Sequence, residues 1–126
     1  MLEGMNILVA EDDKLNQKII NFILSRKGAT VQNAFNGNEA ISLLSNNEFD
    51  VVLMDLQMPV MGGYDTAMHI RNNMKNNIPI IALTADTFAN QTNEYLEAGM
   101  NACISKPVEV IRLCDLILSL TKESKN

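Results

Sequence analysis

Short runs of consecutive apolar residues are the feature that most constrains the fold of this chain. Apolar residues fill these runs without alternating with polar ones, which is typical of strands in a parallel sheet that is covered on both faces. Three runs are strong and two are weaker, and they read NILVA (Asn6–Ala10), VVLM (Val51–Met54), IPIIALTA (Ile78–Ala85), TVQNA (Thr30–Ala34) and ACIS (Ala102–Ser105). We therefore predict five strands.

Segments with helical periodicity separate these runs and follow the last one. In the first segment, Leu15, Ile19, Phe22 and Ile23 share one helical face, and Asp13 is predicted to cap its start. Four more helices are predicted, at 38–45, at 64–73, at 88–98 and after Pro107, the last with Val110, Leu113, Ile117 and Leu120 inward. Alternating strands and helices predict right-handed crossovers and a doubly wound α/β sheet.

Length and composition set the domain count and exclude several classes of function. The 126 residues make one domain, with residues 1–5 predicted as a cloning remnant or disordered start, 6–121 as the domain and 122–126 as a polar tail. A net charge of −5 argues against direct binding to nucleic acid or an anionic membrane, and no apolar run approaches the roughly 20 residues of a membrane span. Cys103 and Cys114 have no metal-binding or redox spacing, so we predict two buried thiols in a cytoplasmic protein.

Polar residues follow the predicted strands at the places where a ligand would bind. Ligands of open α/β sheets bind beyond the carboxyl ends of the strands. The first strand is followed by Glu11 and Asp12, the third by Asp55, the fourth by Thr84 and the fifth by Lys106. Four strand ends therefore deliver several acids, one hydroxyl and one ammonium group to a single rim.

These groups predict a magnesium site that handles phosphate. Clustered carboxylates repel one another unless a hard cation such as Mg²⁺ shares their charge. Asp12 and Asp55 are predicted as direct ligands, with a backbone carbonyl beyond Asp55, and Glu11 is predicted to act directly or through water. Lys106 and Thr84 can hold phosphate oxygens, which makes Asp55 a candidate nucleophile for phosphoryl transfer.

The motifs resemble those of response-regulator receiver domains of two-component signalling. The segments that carry the resemblance span most of the chain and are ILVAEDDKLNQ, VVLMDLQMPVMGG, PIIALTAD and ISKP. The wording of EDDKLNQ, DLQMPVM and LEAGMNACISKP is most similar to receivers of hybrid sensor histidine kinases.

The resemblance implies a flavodoxin-like (βα)5 three-layer sandwich whose five parallel strands lie in the order 2-1-3-4-5. It implies that Asp55 is the phosphoacceptor, that Thr84 is the switch hydroxyl and that Lys106 binds phosphate. The implied metal ligands are Glu11, Asp12, Asp55 and the backbone carbonyl of Gln57, with Mg²⁺ as the cofactor and Mn²⁺ as a substitute. The Lys106–Pro107 peptide is expected to be cis.

This chain departs from the family pattern at three places. Cys103 stands where the family usually has an aromatic residue that reports phosphorylation, Gly62 replaces a common aspartate, and Asp13 replaces a common asparagine. The resemblance also implies that Gln57 and Asp86 tune hydrolysis of the phosphoryl group.

The implied partner is a histidine kinase or a histidine phosphotransfer domain, and homodimerisation is left open. The parent protein is expected to be a hybrid kinase, in which case the domain is the cytoplasmic part of a membrane-bound kinase, with a free-standing regulator as the alternative. Two other classes stay open. An aspartyl-phosphate phosphatase typically has a second acid two residues after its nucleophile, where this chain has Gln57. A phosphate-independent pseudo-receiver is disfavoured by the intact acids, hydroxyl and lysine.

Overall fold

The computed structural model describes residues 1–58, 60–85 and 93–124. Its five strands are all parallel and lie in the order β2-β1-β3-β4-β5, which confirms the predicted doubly wound, flavodoxin-like α/β fold. The strands are β1 Asn6–Ala10, β2 Thr30–Ala34, β3 Val51–Asp55, β4 Ile80–Thr84 and β5 Ala102–Ser105. The helices are α1 Lys14–Arg26, α2 Gly37–Asn46, α3 Gly63–Asn72, α4 Glu94–Glu97 and α5 Val110–Ser124.

The core lies on both faces of the sheet, as the apolar runs predicted. Every residue of β3 and β4 is buried. One apolar cluster fills the face covered by α1 and α5, and a second fills the face covered by α2, α3 and α4. Central strands covered on both sides leave the ends of the strands as the places where polar groups can reach solvent.

The apolar face that predicted helix α1 is not the face that packs against the sheet. Leu15, Ile19 and Phe22 are 67%, 50% and 64% exposed. The buried residues of α1 are instead Gln17, Ile20 and Leu24. The helix therefore carries two apolar stripes, one against the sheet and one facing solvent.

The fourth and fifth helices agree with prediction where the structure describes them. In α5, Leu113 and Ile117 are fully buried, while Val110 and Leu120 pack partly buried against the same cluster. The described part of α4 covers Glu94–Glu97, and the predicted start at residue 88 lies outside the described residues.

The start of the chain packs onto the domain, and the last helix extends into the segment predicted as a tail. Leu2 is fully buried, and its amide donates to the carbonyl of Lys27 at 2.8 Å. Whether residues 1–5 are a cloning remnant stays a prediction. At the other end, α5 continues to Ser124, into the segment predicted as a tail. Among the described helices, none has the length and apolar character that crossing a membrane requires.

Candidate functional site

Strand alternation brings the acids and the lysine to one side of the sheet. Side chains two positions apart on a strand face the same way. Leu53 and Ile104 belong to the apolar cluster on the α1 and α5 side, so Asp55 and Lys106, two residues later, follow the same face. Glu11 joins them just beyond the end of β1, within hydrogen-bonding distance of Lys106.

Three carboxylates form the centre of the site. Glu11 is fully buried, Asp55 is 6% exposed and Asp12 is exposed. One carboxylate oxygen from each lies within 4.8 Å of the others. Hard oxygen donors at this spacing fit Mg²⁺, which prefers carboxylate, carbonyl and water oxygens. The predicted acids therefore converge.

Lys106 lies between two of these acids. Its Nζ donates to Glu11 Oε1 at 2.5 Å and to Asp55 Oδ2 at 3.2 Å. The lysine side chain is 18% exposed, so both ion pairs are largely shielded from solvent. The ammonium group offsets part of the repulsion between the carboxylates and can also bind an anionic oxygen beside Asp55.

Burial and the neighbouring acid make Glu11 hard to ionise. Desolvation and, to a smaller extent, the interaction with Asp55 raise the pKa of Glu11, Lys106 lowers it, and together these effects bring the pKa of Glu11 to about 7. Burial by itself would lower the pKa of Lys106, but hydrogen bonding to Glu11 and the charges of both acids raise it overall. Lys106 therefore stays charged beside an acid that is harder to ionise than an exposed glutamate.

Backbone groups orient the acids. The amide of Gln57 donates to Asp55 Oδ1 at 3.0 Å, and the amide of Asp13 donates to Glu11 Oε2 at 3.3 Å. Asp13 also caps α1 by accepting from the amides of Leu15 and Asn16, which confirms its predicted role. The role of the Gln57 carbonyl as a metal ligand stays a prediction.

Thr84 ends β4 at the same rim and is 3% exposed. It pairs in register with Ser105 of β5, and its carbonyl accepts from the amide of Lys106 at 2.7 Å. Its position is thus coupled to that of the lysine through the backbone. Asp86, the other residue predicted to tune hydrolysis, lies outside the described residues.

The positions that depart from the family pattern have local structural consequences. Cys103 is 5% exposed within β5, and Cys114 is 2% exposed, so both are buried free thiols as predicted. Gly62 is the N-cap of α3 and provides no side-chain hydrogen bond to the helix.

The Lys106–Pro107 peptide is cis, as expected from the resemblance.

Sequence reasoning missed two features that support the site. Gln17 is buried in α1, and its side-chain amide donates to the backbone carbonyl of Glu11. Gly63 begins α3 so close to β3 that a Cβ there would lie 2.5 Å from the Asp55 carbonyl oxygen. For Gln17, the signal was a polar residue at helical spacing with Ile20 and Leu24.

The fold and the site define a flavodoxin-like α/β domain with an acid cluster and a lysine at the carboxyl ends of its strands. The family model of the response regulator receiver domain matches residues 7–118. The chain belongs to this family.

Relatives and solved structures agree with this assignment. Sensor histidine kinase RcsC of Escherichia coli K12 is 37% identical over 106 residues, which cover 84% of this chain and 11% of RcsC. The receiver domain of a sensor histidine kinase from Pseudomonas aeruginosa, solved with a magnesium ion coordinated in the active site cleft, superposes with a TM-score of 0.85. It is 32% identical, and the match covers 94% of this chain and 98% of that one.

This chain is also similar in fold to a chain from a solved complex. A chain in the co-crystal structure of the Saccharomyces cerevisiae histidine phosphotransfer signaling protein Ypd1 with the receiver domain of its downstream response regulator Ssk1 has a TM-score of 0.89. It is 27% identical, and the match covers 98% of this chain and 93% of that one.

The protein is thus a receiver domain of a two-component phosphorelay, a class that generally accepts phosphoryl groups rather than acting as a classical enzyme. The chain spans only 11–14% of the length of similar curated proteins such as RcsC.

Proposed function

We propose that Asp55 accepts a phosphoryl group from a phosphohistidine, with Lys106 and Thr84 holding the transferred group. The observation that carries this proposal is the convergence of Asp55, Glu11 and Asp12 within 4.8 Å, with Lys106 Nζ bonded to two of these acids. A receiver that only bound partners would have no need for buried acids whose charges oppose one another.

The donor set favours Mg²⁺ as the cofactor, held by Glu11, Asp12, Asp55 and the backbone carbonyl of Gln57. These are hard oxygen ligands, and Mn²⁺ accepts the same set. When bound, the ion supplies positive charge that offsets the carboxylates and the oxygens of the incoming group.

The transfer forms one bond and breaks one bond. A carboxylate oxygen of Asp55 attacks the phosphorus, and the bond between phosphorus and the donor imidazole nitrogen breaks, leaving the imidazole with that electron pair. The product is an acyl phosphate. Later attack by water releases inorganic phosphate and restores the carboxylate, which gives the domain a part in its own dephosphorylation.

Lys106 and Thr84 would each bind an oxygen of the acyl phosphate. Lys106 Nζ is already 3.2 Å from Asp55 Oδ2, and the Thr84 carbonyl fixes the Lys106 backbone. Movement of Thr84 toward the phosphate would shift the segment that follows β4. Because Cys103 is small and buried, this switch does not use a large ring moving into the core.

The donor protein would dock across the rim and along α1. Helix α1 begins two residues after Asp12, so a donor that reaches Asp55 must cover its first turn. Leu15, Ile19 and Phe22 form an apolar stripe on that helix, with exposed fractions of 50–67%. A cavity of about 100 Å³ beside the stripe, between Ile19 and Val108, can receive an apolar side chain of a kinase or phosphotransfer domain.

The parent protein is proposed to be a hybrid sensor kinase with this domain on its cytoplasmic side. The support is the short match to RcsC, which places a similar domain within a much longer kinase. A free-standing regulator is the alternative. The reading frame that surrounds this sequence discriminates between them, and homodimerisation stays a prediction.

The function is tested by incubating the protein with acetyl phosphate and Mg²⁺ and measuring its intact mass. We expect a gain equal to one PO₃ group that requires Mg²⁺ and disappears when the protein is treated with hydroxylamine, which cleaves acyl phosphates. No mass gain, or a gain that resists hydroxylamine, contradicts the proposal.

A further inference from the structure

Gln17 is a buried amide at a position where α1 otherwise buries aliphatic side chains. It is 6% exposed and shares the inward stripe with Ile20 and Leu24, which are 2% and 0% exposed. Burying an amide is unfavourable unless its polar atoms find partners. A leucine or methionine could be buried here without the free-energy cost of desolvating an amide. The hydrogen-bond partners of Gln17 therefore indicate what its amide contributes.

The partners are two backbone carbonyls at the end of the sheet. Nε2 of Gln17 donates to the carbonyl of Glu11 at 3.2 Å and to that of Ala34 at 3.4 Å. The ladder between β1 and β2 ends at the pair Ala10 and Ala34, and the amide of Glu11 still donates to Ala34 at 3.0 Å. The Glu11 amide therefore extends strand pairing one residue beyond β1, and the Gln17 side chain bridges the two carbonyls at that extension.

This extension fixes Glu11 from both sides of its Cα atom. The Glu11 amide is held by Ala34 and its carbonyl by Gln17. Both peptide groups of Glu11 are thus restrained, and its carboxylate lies against Lys106 and close to Asp55. Groups that hold a metal ligand in place contribute to metal affinity without touching the metal.

We propose that Gln17 is a positioning residue that holds Glu11 in the orientation required for binding a divalent cation. The proposal rests on the proposed role of Glu11 as a ligand. It adds that the correct orientation depends on an amide supplied by α1, the same helix that carries the proposed docking stripe.

The test compares Gln17→Met with Leu24→Ala. Methionine matches the length of glutamine but lacks its donors, whereas Leu24→Ala removes packing from the same stripe at a residue remote from the acids. Mg²⁺ alone is titrated into each folded variant and followed through backbone amide NMR signals. We expect Gln17→Met to raise the Mg²⁺ Kd about tenfold and Leu24→Ala to leave it within about twofold of the parent.

A second measurement in the metal-free protein separates positioning from general stability. In Gln17→Met, we expect hydrogen exchange of the Glu11 amide to become faster than the loss of global stability alone would explain. In Leu24→Ala, we expect the exchange rate of this amide to change only as much as global stability does.

A Kd for Gln17→Met within twofold of the parent overturns the proposal. Equal weakening in both variants also overturns it, because that pattern reports stability alone. If the parent itself does not bind Mg²⁺, the proposed function fails, and the positioning role fails with it.

Discussion

The central strand β3 is flanked by Asp50 just before its first residue and ends in Asp55, and the two carboxylates have different neighbours. Asp50 precedes β3 and exchanges two hydrogen bonds with Asn6. Its Oδ2 accepts from the Asn6 amide at 2.8 Å, and its own amide donates to the Asn6 carbonyl at 2.7 Å. Asp55 ends the strand beside Glu11, Asp12 and Lys106.

The difference shows that the neighbours, and not the residue type, decide what a carboxylate does. Asp50 receives a backbone donor and stabilises the start of a strand. Asp55 also accepts from a backbone amide, that of Gln57, but it lies beside two other acids, and the repulsion between these carboxylates is offset by Lys106 or by a bound cation. The carboxyl ends of parallel strands bring loops with polar groups together, which is why the proposed phosphoacceptor lies at that end.

Matched substitutions at the two aspartates give the largest expected effect. In Asp55→Asn, we expect labelling by acetyl phosphate to fall below about 1% of the parent, because an amide oxygen is a poor nucleophile. In Asp50→Asn, the side-chain oxygen still accepts from Asn6, so labelling is expected to match the parent and the unfolding free energy to change by less than about 1 kcal/mol. Intact mass and urea unfolding measure the two quantities. If Asp55→Asn is still labelled by acetyl phosphate, Asp55 is not the acceptor, and the proposed difference between the two ends of β3 is wrong.

A substitution on α1 tests whether the donor protein approaches the Asp55 end of the strand. Ile19→Glu places a charge in the exposed stripe, and we expect transfer from a phosphohistidine protein to slow at least about tenfold. Labelling by acetyl phosphate should not change, because that donor needs no docking surface. Met68→Glu, on α3 at the other face of the sheet, is the control. Equal rates for both variants and the parent argue against docking on α1.

The pKa of Glu11 predicts that protons compete with Mg²⁺ at the Asp55 end. Since Glu11 has a pKa of about 7, Mg²⁺ affinity is expected to be about tenfold weaker at pH 6 than at pH 8. The raised pKa also means that protonated Glu11 stabilises the fold fully below its ordinary value of 4.5. Without Mg²⁺, this contribution is lost as the pH rises through about 7.

Titrations of Mg²⁺ at several pH values measure this competition. Glu11→Gln cannot ionise, so its weaker Mg²⁺ affinity is expected to vary much less with pH over the same range. A parent protein whose affinity does not vary between pH 6 and pH 8 contradicts the predicted role of Glu11.

The smallest expected effect concerns the helix that follows the Asp55 loop. Gly62 caps α3 with a backbone conformation of φ −72° and ψ 172°, which any residue adopts, and a Cβ there would lie 3.6 Å from the nearest atom outside its chain neighbours. Gly62→Asp is expected to raise the unfolding free energy by a few tenths of a kcal/mol, about the difference between glycine and aspartate at an N-cap. Asn36→Ala removes the existing cap of α2 and should cost about 1 kcal/mol. Urea unfolding that shows Gly62→Asp less stable than the parent contradicts this account of the cap.

Much of the fold could be predicted because the strands are covered on both faces. The bounds of β1, β2 and β5 coincide with the apolar or β-forming runs in the sequence. The grouping of Glu11 and Asp55 was also predictable, because parallel strands end at the same edge.

The packing of α1 could not be predicted in the same way. Its exposed stripe, with Leu15 and Phe22, is more apolar than its buried one, which begins at Gln17. Periodicity shows that a helix has an apolar face. Which of two apolar stripes faces the sheet depends on how the chain enters and leaves the helix. The hydrogen bond from Gln17 to Glu11 follows from that orientation and is not visible in the sequence.

The most direct test of the account is to locate the phosphoryl group. The protein is labelled with acetyl phosphate and Mg²⁺, reduced with borohydride to convert an acyl phosphate into an alcohol, and digested for peptide sequencing by mass spectrometry. We predict that the reduced residue is Asp55, with Asp50, Glu11 and Asp12 unmodified. Reduction at any other acid, with Asp55 intact, would contradict the claim that the surroundings of Asp55 make it the acceptor.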